Sequence, residues 1–349
     1  MQEPQIIITQ EFLKLISELD VFKGNWETLT TLSRERLSQL RRVATIESIG
    51  SSTRIEGAKL TDGEIEVLLS NINIESFETR DEQEVAGYHE TMDLIFQSWE
   101  DMPLTENHIK QLHQILLRHS TKDKRHRGEY KKLTNDVVAF DRDGNEIGVV
   151  FKTTSPFDTP REMEKLVSWL NKALFEESQH PLILIGVFIV VFLAIHPFQD
   201  GNGRLSRILT TLLLMRAGYV YVPFTSLERV VEDNKDLYYR ALRRTQGTLN
   251  SESPDWQPWI GFFLRCLKQQ KRNMENKITK EGLTYDNQLP ALAVEIIRLS
   301  DENDRITRAD ILVLTGANEN TIKKYLRELV RGNYLRQYGK GRATWYTKA

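Results

Sequence analysis

Cysteine is nearly absent: Cys266 is the one thiol in 349 residues. An intramolecular disulfide is therefore excluded, and a reducing, cytoplasmic setting is expected. No basic segment followed by an apolar core opens the chain, so no secretory signal is expected. Internal repeats and low-complexity tracts are also missing. So is an apolar run of bilayer length. The nearest to one, Pro181 to Ile195, has 15 residues, where a span needs about 20. It leads straight into the polar His196, so a fully buried central helix is expected, and no membrane partner. An overall excess of one charge is lacking too, since 47 Lys and Arg oppose 49 Asp and Glu. The balance conceals an asymmetry. From Arg305 onward ten basic residues stand against three acids, giving that tail +7 and the remainder −9. A basic end on an acidic body points to a separate module with its own partner.

What is present reads as an ordinary globular protein. Hydrophobic residues make up 40% and charged residues 28%, and the length allows two or three domains. The pattern is mostly helical, so an all-α class is expected. Residues 10–20 and 26–48 place apolar residues at helical spacing, among them Phe12, Leu13, Ile16 and Leu19. Asp81 to Trp99 is a further amphipathic helix. Thr105 to His119 is another, with Thr105 as its N-cap. Pro160 to Phe175 carries its proline near the start. One part breaks the pattern: Val137 to Phe140 and Ile147 to Phe151 flank Asp141-Arg-Asp-Gly-Asn145, a β-hairpin signal. Such a hairpin serves either as a flap or as surface decoration. Residues 270–288 are charged and lack apolar periodicity, as a linker or a solvated helix would.

The end of the chain forms a compact unit. Ala291 to Leu299 is a helix, Thr307 caps Arg308 to Leu314, and Thr315-Gly-Ala-Asn318 is a turn. Glu319 to Arg331 is a basic helix. Tyr334 to Tyr338 and Ala343 to Thr347 are strands around a glycine turn at 339–342. Helix-turn-helix followed by a hairpin resembles the winged helix, which serves either DNA contact or protein association, including dimerisation of the chain with itself. The expected domains are 1–80, 81–270, a linker at 271–288, and the winged helix-turn-helix at 289–349.

The chemistry is concentrated in His196-Pro197-Phe198-Gln199-Asp200-Gly201-Asn202-Gly203-Arg204-Leu205-Ser206-Arg207. A buried apolar helix ends at His196, whose ordinary pKa makes it a general base near neutrality. Pro197 stops that helix. Gly201-Asn202-Gly203 is a short turn into a helix from Arg204 to Met215, and its converging N–H groups suit phosphate oxygens. Arg204 and Arg207 add forked cationic donors. Asp200 is a hard carboxylate of the kind that holds Mg²⁺ between phosphates. Together these groups describe a site that binds a nucleotide polyphosphate and deprotonates a nucleophile.

The run also resembles the Fic signature, His-Pro-Phe-x-Asp/Glu-Gly-Asn-Gly-Arg-x-x-Arg, at every defined position. The resemblance implies a helical core with a hairpin flap over roughly residues 85–265. It implies transfer of AMP from ATP to a Ser, Thr or Tyr hydroxyl of a protein, the chain itself included. In that reading His196 takes the hydroxyl proton and Asp200 holds Mg²⁺. Phe198, Gly201, Asn202, Gly203 and Arg204 belong to the nucleotide site, and Arg207 takes the γ phosphate. Arg127-Gly-Glu-Tyr130 resembles the family's entry to the flap, which puts Val149, Val150 and Phe151 over the target segment as an added strand. Asp236-Leu-Tyr-Tyr239 resembles the stretch at the adenine pocket, with Tyr238, Tyr239 and Gln246 as its residues. Paired tyrosines are equally at home in a core.

Ser52-Thr-Arg-Ile-Glu56-Gly57 resembles the family's inhibitory motif, Ser/Thr-x-x-x-Glu-Gly/Asn, and it ends a helix with Gly57 placed as the C-cap. The resemblance implies that Glu56 pairs with Arg207 and denies it to the γ phosphate, with Ser52 the other inhibitory residue of the motif. Kinase-like relatives alter the Gly-Asn-Gly-Arg stretch, which is intact here. Two alternatives stay open. The same site could remove AMP, with Glu56 orienting a water. Or the basic tail could be the working part of a DNA-binding regulator, with the Fic core as its sensor.

Overall fold

A computed structural model describes residues 4–29, 34–70, 77–140, 146–280, 290–303, 305–331, 334–339, 341 and 344–348. Packing divides the chain into two compact units: Met1–Gly24 with Ser38–Met274, and Asn25–Leu37 with Glu275–Ala349. Helices come first, α1 (Gln10–Leu29), α2 (Arg34–Ile55), α3 (Asp62–Ser70), α4 (Arg80–Ser98) and α5 (Glu106–Leu116). The hairpin β1 (Val137–Phe140) and β2 (Glu146–Phe151) follows, then α6 (Thr159–Phe175), α7 (Pro181–Ile195) and α8 (Asn202–Arg216). A single 3-10 turn precedes α9 (Leu227–Asp233), α10 (Lys235–Gln246) and α11 (Gln257–Lys280).

The first unit is built around α7, which is buried on all sides. It packs against α6, α8 and α10. A helix apolar all round has no stable place except a core. Its ends are set by sequence. Pro181 occupies the first turn, and the His180 ring accepts from the Leu182 N–H. At the other end Pro197 disfavours right-handed helix at the residue before it, and His196 turns left-handed with φ 53°. Thr105 caps α5 as expected, accepting from the His108 N–H at 3.1 Å. Thr79 and Glu82 form a reciprocal capping box on α4.

Four expectations need correction. Leu13 lies outside the apolar face of α1: Phe12, Ile16 and Leu19 are buried, whereas Leu13 is 58% exposed. At about 100° per residue it is turned away from that face. The motif helix α8 begins at Asn202, not Arg204, so the turn is confined to Gly201, at φ 81°. The segment from residue 270 is helical as far as Lys280 and not solvated throughout, since Gln270, Met274 and Ile278 repeat at four-residue spacing and are buried. Residues 281–288 of the expected linker lie outside the described residues, as does the hairpin turn at 141–145. The hairpin itself is present, antiparallel, with Val137 opposite Phe151 and Val138 opposite Val149. The fourth correction concerns the last strand, which runs Trp345–Lys348 and not 343–347.

The second unit contains α12 (Ala291–Glu302), β3 (Ile306–Thr307), α13 (Arg308–Thr315), α14 (Glu319–Arg331), β4 (Leu335–Tyr338) and β5 (Trp345–Lys348). Thr307 and Asp310 cap α13 reciprocally, and Gly316 ends it at φ 62°. β5 lies between β3 and β4, all antiparallel. The two-residue β3 carries too short a pattern to be read from sequence. Ile322, Leu326 and Leu329 of α14 join Ile296, Ile297, Ile306, Ile311 and Leu335 in one core. Lys324, Arg327 and Arg331 stand exposed on the same helix. This is the helix-turn-helix and hairpin order expected of the segment.

Glycine permits one helix contact in the first unit that no other residue would. A Cβ at Gly87 in α4 would lie 2.0 Å from the Leu116 carbonyl oxygen at the end of α5. Backbone cannot swing aside as a side chain can. Gly87→Ala is expected to cost about 3 kcal/mol, the upper range for overpacking. Denaturant unfolding followed by circular dichroism checks this, and an unchanged midpoint would show that α4 and α5 separate freely.

Candidate functional site

Between α7 and α8 the chain runs through residues 196–201, and most polar backbone groups there are tied down. The Lys131 N–H donates to the Pro197 carbonyl at 2.8 Å. The Asn135 amide donates to the carbonyls of His196 at 3.2 Å and Phe198 at 2.7 Å. The Asn202 side chain accepts from the Phe198 N–H at 2.9 Å and donates to its carbonyl at 2.7 Å. The Phe198 ring is fully buried and stacks on His113 with centroids 3.8 Å apart. The side chains of Phe198 and Asn202 are thus engaged in shaping the loop.

Two buried groups outside the motif hold this loop. His113 accepts the Gly128 N–H on Nδ1 at 3.0 Å, so Nε2 carries the proton and donates to the Asp200 carbonyl at 3.0 Å. Burial pushes its pKa down to about 4, which keeps Nδ1 free to accept. The Lys131 ammonium spends its three donors on Asn135 Oδ1, Thr153 Oγ1 and the Ile195 carbonyl, at 2.7, 2.8 and 3.0 Å. Its pKa is lowered to about 8, again by burial. Sequence reasoning missed His113, Lys131 and Asn135. Nothing local marks them, because their partners lie far along the chain.

Above the loop lies a cleft of about 490 Å³, a size ordinary for small-molecule sites. Of the residues singled out in the sequence, Glu56, Phe151, His196, Asp200, Gly201, Asn202, Gly203, Arg204, Tyr238, Tyr239 and Gln246 line it. Leu193, Gln199, Leu242 and Arg243 join them. Phe198, Arg207 and Ser52 do not line it. They are buried. The side chains of Val149 and Val150 lie outside the described residues. Tyr238 has both expected characters, lining the cleft while its ring packs against Tyr239, Trp259 and Phe262.

His196 Nδ1 lies 3.2 Å from the Leu193 carbonyl. A carbonyl only accepts, so Nδ1 carries the proton and Nε2 keeps its lone pair. Burial lowers the His196 pKa, and Lys131 adds to this, against the opposing pull of the Leu193 bond and of the Glu56 and Asp200 carboxylates. Burial would raise the Asp200 pKa, but Arg204, the Gly201 N–H and Arg80 lower it overall. Arg80 Nη2 lies 3.3 Å from Asp200 Oδ2. Arg204 is buried between Asp200 at 3.2 Å and Glu84 at 3.0 Å. Its Nε has no partner among the described residues.

The first N–H groups of α8 have no partners within the helix, and they open beside Gly203. A Cβ on Gly203 would sit 2.1 Å from Glu56 Oε1. The carboxylate therefore occupies space that only glycine leaves, at a helix N-terminus that attracts anions. The same Oε1 accepts from Arg207 Nη2 at 2.7 Å. Ser52 completes the grip, its hydroxyl accepting from Arg207 Nε at 2.8 Å and its carbonyl from Nη2 at 2.9 Å. Burial would raise the Glu56 pKa, yet Arg207 and then Arg204 leave it lowered. Burial works against the Arg207 charge too, and Glu56, with Tyr238 and Tyr88, more than offsets it. The expected pairing of Glu56 with Arg207 is what the structure contains, and Ser52, expected only as part of the inhibitory motif, binds the same guanidinium. Gly57, at φ 106°, ends the helix behind it as expected.

Residues 103–214 match the family model of the Fic/DOC family. The chain contains a Fic domain. It is 27% identical over 237 residues to the protein adenylyltransferase Fic of Drosophila willistoni, covering 67% of this chain and 42% of that protein. To the protein of the same name from Drosophila virilis it is 28% identical over 237 residues, with 67% and 43% covered. The chain thus spans less than half the length of the curated relatives it matches. Among solved structures, a Fic family protein from Desulfovibrio desulfuricans G20 superposes with a TM-score of 0.61 at 22% identity, covering 99% of this chain and 98% of that one. A Fic domain-containing signalling protein from Bacteroides thetaiotaomicron VPI-5482 does so at 0.61 and 25%, covering 78% and 100%. These likenesses show that the helical Fic fold is shared.

The electrostatics of the Fic histidine give a direct test. In a ring-nitrogen NMR titration, His196 is expected to protonate below the ordinary value of about 6.5. In Glu56→Gly the midpoint falls further, because a carboxylate that favours the charged ring is gone. A midpoint above that value in the natural chain, or a rise in the variant, contradicts this account.

Proposed function

We propose that this chain is a protein adenylyltransferase, moving AMP from ATP to a protein hydroxyl, and that Glu56 restrains it. The observation that carries this reading is the cleft itself, which combines an unshared lone pair on His196, the Asp200 carboxylate and the N-terminus of α8. The name borne by the Drosophila relatives supports it.

In this mechanism His196 Nε2 takes the hydroxyl proton as the target oxygen attacks the α phosphorus. The new P–O bond forms while the α–β bridging bond breaks, and pyrophosphate leaves with the electron pair. The N–H groups at Gly201, Asn202 and Gly203 and the Arg204 guanidinium hold phosphate oxygens. Phe198 supports them from below. Arg207 takes the γ phosphate once Glu56 has left it. Tyr238, Tyr239 and Gln246 receive the adenine. Val149, Val150 and Phe151 pair with the target segment as an added strand.

Asp200 fits a divalent cation in its chemistry. It is ionised, and no group of three metal-ligating side chains occurs among the described residues. A Mg²⁺ held there would draw its other ligands from phosphate oxygens and water and would neutralise charge building on the phosphates. No helix among the described residues is long and apolar enough to cross a membrane; a cytoplasmic site of action is part of the proposal. In domain terms, residues 1–80 supply the brake, 81–270 the transferase and 271–288 a connection to 289–349.

For 289–349 we propose contact with duplex DNA through α14. That helix buries Ile322, Leu326 and Leu329 and leaves Lys324, Arg327 and Arg331 exposed. A helix so divided can present its cations to phosphates while its apolar side stays in the core.

Two experiments test these readings. With labelled ATP, Glu56→Gly is expected to raise self-modification by about a hundredfold, the scale of a small misplacement relieved. Adding His196→Ala then abolishes transfer while sparing ATP binding. An unchanged rate in a folded Glu56→Gly chain removes the brake, and retained transfer without His196 removes the base. For the second unit, binding to duplex DNA is expected to weaken with salt at a log–log slope of about −3, for three phosphates neutralised. A flat salt response rules out the DNA reading.

A further inference from the structure

The last turn of α2 is gripped from two sides, and only one of them is Arg207. Ser52 and Glu56 lie four residues apart on one face and reach α8. Arg54 points the other way. Its Nε donates to Glu232 Oε1 at 2.6 Å and its Nη2 to Glu232 Oε2 at 3.0 Å, a bidentate pair with α9. Its Nη1 donates to Asp62 Oδ1 at 2.8 Å, at the start of α3, and to the Leu60 carbonyl at 3.0 Å. Its remaining Nη2 donor reaches the Ser51 hydroxyl at 3.4 Å. All five N–H donors of Arg54 are therefore used. Arg229 reinforces the cluster, with Nη1 3.7 Å from both Asp62 and Glu232.

A glycine makes this arrangement possible. A Cβ at Gly50, one turn earlier in α2, would lie 2.6 Å from Arg54 Nη1 and 2.6 Å from Asp62 Oδ1. The guanidinium lies in the space that Gly50 leaves open.

Helix ends fray readily, and Glu56 sits one residue beyond Ile55, where α2 ends. Thr53 and Ile55 pack the turn into the core, and Arg54 adds a charged anchor on the side away from Arg207. We propose that Arg54 and Glu232 are positioning residues that latch the inhibitory turn to α9 and set how firmly Glu56 is held on Arg207. The proposal rests on the autoinhibition reading above. The latch acts through Glu56 and has no role of its own in the cleft.

The test compares Glu232→Gln and Gly50→Ala in the natural chain and in the Glu56→Gly background. Glu232→Gln removes the charge that Arg54 grips. Gly50→Ala leaves every charge in place, displaces the guanidinium, and favours helix in its own right, so a gain of activity cannot come from melting α2. Each is expected to raise self-modification about fivefold or more, within the range of ordinary coupling between sites. Neither should add anything once Glu56 is gone. Hydrogen exchange at the Glu56 and Ala58 amides, both bonded to the Thr53 carbonyl, is expected to quicken in both variants. If Glu56→Gly activates while neither latch variant does, the latch is wrong. It is equally wrong if the gain persists in the Glu56→Gly background. If Glu56→Gly itself fails to activate, the brake reading falls, and exchange alone decides the latch: faster exchange supports it and unchanged exchange overturns it.

Discussion

A buried guanidinium has to be answered by an anion, and Arg207 is such a group. It sits on α8 beneath the cleft, almost out of reach of water, and the cost of leaving its charge unpaired there would be several kcal/mol. Ser52 and Glu56 meet that demand from a helix 150 residues earlier in the chain. In the proposed reaction the γ phosphate would meet it instead. The site therefore has one cation and two alternative anions. With either anion in place the Arg207 charge would be answered, so exchanging them need not leave the protein with a stranded charge.

The other requirement is rigidity where the proposed proton transfer would take place. His196 follows the most apolar helix in the protein and holds a left-handed backbone conformation that non-glycine residues adopt at some cost. The surroundings enforce it. Asn135 and Asn202 bind the loop's backbone, His113 holds Asp200, and Lys131 reaches the end of α7. Lys131 and Asn135 also meet Thr153 just beyond β2. The base of the hairpin, the histidine loop and the end of α7 thus share one polar network. A strand pairing with β2 would be positioned by the same groups that position the base, and that is how a hydroxyl could be presented to Nε2 within a fraction of an ångström.

The sequence made the centre legible because the chemistry is contiguous there. Residues 196–207 carry base, carboxylate, helix N-terminus and arginines in one run, and Ser52 and Glu56 stand at a helix end that Gly57 marks. Capping, the buried α7 and the helix-turn-helix order were legible for similar local reasons. What was hidden depends on long-range closure. His113, Lys131 and Glu84 act on residues 60 to 120 positions away, and Arg54 and Glu232 are 178 apart. Their types alone suggest surface charge. Leu13 and Met274 misled in opposite directions, since apolar spacing indicates a face but does not say how wide the covered part of it is.

Glu56 contests more than Arg207. Its Oε1 stands over Gly203 at 2.1 Å from where a Cβ would be, at the N-terminus of α8, so the carboxylate obstructs the anion nest and the arginine with the same atom. The two obstructions cannot be relieved separately. A polyphosphate that entered with Glu56 in place would find the nest shielded by like charge and its last phosphate without a donor. Removing Arg207 would leave the nest unblocked only by destroying the site that the γ phosphate needs. The proposed gate would therefore lie between the end of α2 and the first turn and a half of α8 rather than at one ion pair. In the proposed brake, the firmness with which the α2 turn is held would then set restraint together with the strength of Glu56–Arg207.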